Sequence, residues 1–178
     1  ATDQELKNYT RKVSHISSTP VEYKADVAII GGGGTGLAAA VSALENGAKK
    51  VVILEKLGYL GGSTNVSGGA LNAVDDKRQK AQGIDDSVQK FYEATMKGGH
   101  NVGNPELVKY LTDNAYPTVK WMEKEGVVFR DKIGAATGSL GQRSHYGKKP
   151  AGYAYTSVFE NKLKEYGDRV VVLTETPA

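Results

Sequence analysis

The stretch Asp26-Val-Ala-Ile-Ile-Gly-Gly-Gly-Gly-Thr-Gly36, followed by an acid at Glu55, constrains this chain more than any other part of it. A short run of branched apolar residues breaks at glycines, and Leu37-Ala-Ala-Ala-Val-Ser-Ala-Leu44 continues as a helix-forming segment. A second apolar run, Val51-Val-Ile-Leu54, ends directly at Glu55. The spacing predicts strand, glycine turn, helix, strand and acid, the order of a dinucleotide-binding βαβ unit. Gly31 permits the tight turn, Gly33 lets the backbone approach a pyrophosphate, and Gly36 lets the helix pack closely on the strand. The pyrophosphate would sit at the helix N-terminus, where free N–H groups and the helix dipole favour negative charge. Glu55 would accept hydrogen bonds from a ribose. The plain alternative is a structural βαβ turn that binds nothing.

Composition narrows the field. The chain has 178 residues and a formal charge of +3 with mixed signs, so it carries no electrostatic footprint for nucleic acid or a membrane surface. No apolar run reaches transmembrane length, and the N-terminus lacks the apolar core of a signal peptide. Cysteine is absent, which excludes disulfides, thiolate nucleophiles and cysteine-ligated metals within the segment. His15, His100 and His145 lie too far apart for a metal-ligand motif, so no metal is expected. The start at Ala1 and the lack of cysteine lean towards an exported, processed product.

Residues 1–24 read as a short polar leader helix and a linker, and 25–178 as one domain. The first βαβ unit covers about 25–55. Gly58–Gly69 is glycine-dense and rich in small hydroxyls, too long for a simple connector. Helices are expected at Lys77–Gln82 and Ser87–Lys97. A third starts at Asn104-Pro105-Glu106, with Leu107, Leu111, Ala115, Val119 and Met122 as its apolar stripe. Pro117 should kink or split it. Val127–Arg130 reads as a short strand, and 134–153 as a second glycine-rich loop carrying Arg143, His145, Lys148 and Lys149. Thr156–Tyr166 is amphipathic, and Arg169–Thr174 closes the chain as a strand.

Taken together, the fingerprint, Glu55-Lys56, Gly61-Gly62-Ser63-Thr64 and Ser67-Gly68-Gly69-Ala-Leu-Asn72-Ala73 resemble the FAD-binding domain of the fumarate reductase/succinate dehydrogenase flavoproteins, in their flavocytochrome c-like branch. The resemblance implies an α/β, Rossmann-like domain with a central parallel sheet flanked by helices, incomplete at its C-terminus. It implies FAD as cofactor, with Gly31, Gly33, Thr35 and Gly36 on the pyrophosphate and Glu55, beside Lys56, on the adenosine ribose. Gly62, Ser63 and Thr64 would meet phosphate and ribityl groups, Gly68 and Gly69 would lie against the flavin, and Thr174–Ala178 would meet adenine. Members that bind FAD covalently carry a histidine before the Gly-Gly pair. None stands here, so FAD should be non-covalent.

The resemblance further implies an oxidoreductase that reduces the C=C bond of a small unsaturated carboxylate, fed by an electron-donor protein or domain. Its capping domain and catalytic arginine would lie beyond Ala178. Within the segment the resemblance supplies no catalytic residue; Arg143 and His145 are the candidates for a place beside the flavin, against a plain solvated loop. Two other readings stay open: an NAD-dependent dehydrogenase domain, and a nucleotide-binding fragment inactive on its own.

Overall fold

The computed structural model describes residues 21–136 and 140–178. The expected leader helix and His15 lie outside the described residues, apart from 21–24, which carry no regular structure. Branched apolar runs make the sheet: β1 (Val27–Ile30) and β2 (Val51–Leu54) pair in parallel, Val27 opposite Val51. The last strand, β5 (Val170–Leu173), pairs with β2 in parallel, Val51 opposite Val170, giving the order β1-β2-β5. Parallel strands need a crossover between them, and α1 (Gly34–Glu45) supplies the first. It ends at Asn46-Gly47, where Gly47 takes a positive φ.

Leu37, Val41 and Leu44 of α1 bury between the sheet residues Val51 and Ile53 and the helix α6 (Tyr153–Glu165), which contributes Phe159 and Leu163. Between β2 and α6 come α2 (Gly62–Val66), β3 (Leu71–Asn72), α3 (Asp76–Ala81), α4 (Val88–Gly98), α5 (Pro105–Glu125) and β4 (Ser144–His145). α5 joins the core through Val119 and Met122, and Trp121 stacks on Phe159 with ring centroids 5.3 Å apart. The Trp121 indole N–H donates to Glu45 at 2.7 Å, tying α5 to the end of α1.

Four expectations need correction. Pro117 does not split α5, which runs unbroken for 21 residues. Pro117 is exposed, so its ring and the carbonyl it leaves without a donor face solvent rather than the core. The stripe on α5 is only half covered, for Leu107 and Leu111 are 68% and 55% exposed. Leu111 and Tyr110 belong to the wall of an apolar groove that also reaches Leu71 and Phe91. Val127–Arg130 is not a strand; only Phe129 forms a bridge, to Gly147. Neither glycine-rich segment is all loop: Gly62–Val66 in the first is helical, and Ser144–His145 in the second pairs antiparallel with Leu71–Asn72.

Candidate cofactor site

The site grows from two glycine-rich turns that the fold zips together. The first leaves β1 at Gly31, which takes φ +96°, and its N–H donates to Leu54 O at 2.8 Å, so the turn stays anchored to β2. Gly36 is demanded by packing: a Cβ there would lie 2.0 Å from Gly31 O, so only glycine lets α1 cross so close to the turn. The second turn, Gly61-Gly62, meets the first through a parallel bridge between Gly33 and Gly61, with Gly61 N–H donating to Gly32 O at 2.8 Å. Thr64 on α2 accepts the Gly34 N–H at 3.2 Å, a second strut between the turns.

These bonds sort the backbone donors. Gly31, Gly32 and Gly34 donate within the chain, whereas the N–H groups of Gly33, Thr35 and Gly36 find no acceptor among the described residues. They are the orphan donors of a helix N-terminus, held on a turn that carries no side chain over them. Gly33 has an ordinary φ of −76°, and a Cβ on it would meet nothing nearer than 4.0 Å; Gly68 has nothing within 4 Å. The chain's own packing therefore gives no reason for glycine at either position, while a ligand lying against the backbone does.

Glu55 is almost fully buried at the end of β2, and its carboxylate reaches back to the first turn. One oxygen accepts the Leu57 N–H at 2.7 Å and the other the Gly32 N–H at 2.8 Å. Those two donors, that of Leu57 foremost, hold its pKa below the usual carboxylate range. An ionised carboxylate offers about four lone-pair sites, so two remain for hydroxyls of a ligand. Ile30, Gly31, Glu55, Lys56 and Ala178 share one cleft of about 150 Å³ with Thr176 and Pro177. The chain returns there because Thr176 N–H donates to Glu55 O at 2.9 Å.

The expected site residues thus converge. Gly31, Gly33, Thr35 and Gly36 form the first turn, Glu55, Lys56 and Ala178 its flank, and Gly62, Ser63 and Thr64 the adjoining α2. Gly68 and Gly69 follow where α2 ends. Arg143 and His145 do not join them; both are held in internal pairs. The Arg143 guanidinium is buried and doubly bonded to Asp86, with Nε and Nη2 each 2.8 Å from a carboxylate oxygen, and it lies over the Phe91 ring. His145 is fully buried, its Nε2 3.2 Å from Asp75 and its Nδ1 3.2 Å from Arg143 O, which leaves no ring nitrogen for a ligand.

Asp75, which the sequence reading did not single out, anchors this network. It caps α3 by accepting the Arg78 N–H, pairs with the Arg78 guanidinium at 2.8 Å and meets His145. Burial alone would raise its pKa, but these bonds, led by Arg78, outweigh burial and leave it lowered. Asp86 is likewise raised by burial and lowered on balance by Arg143. The cluster fixes the β3–β4 pair, and through it the segment that follows Gly69. Among the described residues no group of histidines and acids has the arrangement of a metal site.

Residues 26–178 match the family described as FAD binding domain. The chain belongs to that family. Its cofactor is FAD, and the two joined turns with a buried acid between them fit a ligand that carries both a pyrophosphate and a ribose. The chain is similar to the NADH:fumarate oxidoreductase of Klebsiella pneumoniae (strain 342), 37% identical over 142 residues that cover 78% of this chain and 15% of the relative. It is similar to the urocanate reductase of Eggerthella lenta, 47% identical over 103 residues that cover 58% of this chain and 17% of the relative. Among solved structures, a flavocytochrome c3 fumarate reductase in its open conformation aligns with a TM-score of 0.76 at 30% identity, over 83% of this chain and 26% of that one. The chain spans between 15% and 31% of the length of the curated relatives it matches. No helix among the described residues is long and apolar enough to cross a membrane.

Proposed function

We propose that this chain is the FAD-holding portion of a flavin-dependent oxidoreductase that reduces the C=C bond of an unsaturated carboxylate. The observation that carries the reading is the pairing of Gly33 with Gly61, which sets a second glycine-rich turn beside the first. An NAD-binding βαβ unit needs only the first turn, so the second favours FAD over an NAD-dependent dehydrogenase. The reaction type rests on the similarity to proteins named as fumarate and urocanate reductases.

Each part of the chain has a task in this reading. The orphan N–H groups of Gly33, Thr35 and Gly36 bind the pyrophosphate, and Glu55 takes ribose hydroxyls on its free lone pairs, with Lys56 and Ala178 at the same cleft. Gly62, Ser63 and Thr64 face the middle of the cofactor, and Gly68 and Gly69 let the backbone lie against the ring. FAD, when bound and reduced, supplies the hydride that goes to the alkene carbon β to the carboxylate, while a proton adds to the other alkene carbon. None of the chain's residues is assigned as that proton donor. FAD is held without a covalent bond, since no histidine stands between Glu55 and Gly61.

The experiment is a reoxidation assay on the natural full-length polypeptide. The FAD-loaded protein is reduced without oxygen and mixed with fumarate, urocanate or acrylate. Return of the oxidised flavin spectrum with formation of the saturated acid is expected for at least one. A reduced flavin that none of the three reoxidises would sink the reductase reading, and a protein that binds NAD but no FAD would favour the dehydrogenase reading.

A further inference from the structure

The first turn of α6 grips the second glycine-rich segment at three points. Gly152 N–H donates to Ser67 O at 3.2 Å, the Thr156 hydroxyl bonds the Asn65 side chain, and the Tyr155 hydroxyl donates to Gly69 O at 2.5 Å. Gly69 has φ +72°, and a Cβ on it would lie 2.6 Å from the Ala151 carbonyl carbon, so the segment is seated on α6 as closely as a backbone can be. Tyr155 is buried, and its ring centroid lies 5.8 Å from that of Phe129.

A peptide group is planar and trans, so its C=O and N–H point in opposite directions. The Gly69 carbonyl points into the protein at Tyr155; the Ala70 N–H of the same peptide therefore points out. Ala70 is exposed, stands at the rim of the groove of about 600 Å³ beside α5, and its N–H has no acceptor among the described residues. We propose that Tyr155 is a positioning residue for the cofactor: by holding the Gly69 carbonyl it aims the Ala70 N–H outward as a donor to the flavin ring system. This rests on the FAD reading above. Burial pushes the Tyr155 hydroxyl up to about 12, although the backbone at Gly147 pulls the other way, so it stays a neutral donor across the working pH range.

The test compares FAD with ADP, which occupies the first turn and the Glu55 cleft but has no flavin. Tyr155→Phe keeps the ring and deletes the hydroxyl. On the full-length polypeptide, FAD affinity should fall about tenfold, the effect of one hydrogen bond, while ADP affinity stays within about twofold. Equal losses for both ligands, or no loss for either, would overturn the proposal. A measurement on the unaltered protein stands beside the variant: the Ala70 amide should exchange slowly with FAD bound and rapidly with ADP bound. The same exchange rate in the two complexes would overturn it too. Failure of the unaltered protein to bind FAD would sink the FAD reading and this inference together; FAD binding with an unprotected Ala70 amide would sink this inference alone.

Discussion

Replacing Glu55 with Gln tests the acid that joins the two ends of the βαβ unit. The carboxylate accepts from Leu57 N at 2.7 Å and from Gly32 N at 2.8 Å, one donor on each oxygen. Glutamine has a single acceptor oxygen of about the same reach, so one N–H keeps a partner and the other meets an NH₂ group. The lost bond has a charged acceptor, worth about 1.5–3 kcal/mol. Glu55→Gln should therefore lower unfolding stability by about 1–3 kcal/mol at pH 7, read by urea denaturation as a lower midpoint with an unchanged slope. FAD binding should weaken by roughly 10- to 100-fold, because the first turn loses its tie and the ribose loses its acceptor. The sign of the pH dependence follows from the lowered pKa of Glu55. Its contribution is complete above the ordinary value of 4.5 and disappears as pH falls through the lower folded value, so parent and variant should converge in acid. A variant with the parent's midpoint and the parent's FAD affinity would remove Glu55 from both the turn and the site.

Other perturbations probe neighbouring claims. Gly36→Ala should weaken FAD binding and destabilise the fold, since pushing Gly31 O aside costs about 1–3 kcal/mol and the helix-propensity gain returns at most about 1; thermal unfolding and a flavin fluorescence titration read the two effects. Thr64→Val removes the acceptor of the Gly34 N–H and should lower stability by about 0.5–1.5 kcal/mol, with Thr64→Ser close to the parent. Arg143→Met strands Asp86 in the interior and should cost about 3–5 kcal/mol in chemical denaturation. Asp75 and Asp86 both titrate below their ordinary value of 3.8, so their stabilisation is lost as pH falls below that value; Asp86→Asn should flatten the acid limb of the stability curve.

The first βαβ unit was readable because its signals are local. Branched runs, glycine stops and an alanine-rich helix state β1, α1 and β2 without help from tertiary contacts. The cofactor turn was readable for the same reason, and Gly36 now has a distance behind it. What the sequence hid depends on partners distant in the chain. Five residues, Gly62–Val66, carry no helical period, and their helix rests on the Gly33–Gly61 bridge and on α6. Arg143 and His145 looked like solvent or ligand cations until Asp86 and Asp75, 57 and 70 residues away, closed over them. Nothing in the sequence around Tyr155 points to Gly69, 86 residues earlier. The exposed half of the α5 stripe reads as core in any periodicity analysis, since spacing records amphipathicity and not what covers the apolar side.

The central claim is that two joined glycine turns hold FAD without a covalent bond. A visible absorption spectrum of the natural full-length protein, taken before and after acid precipitation, tests it most directly. The account predicts a flavin spectrum at one FAD per chain that passes entirely into the supernatant. Flavin that stays with the precipitated polypeptide, or a colourless protein that gains no flavin spectrum when FAD is added, would contradict it.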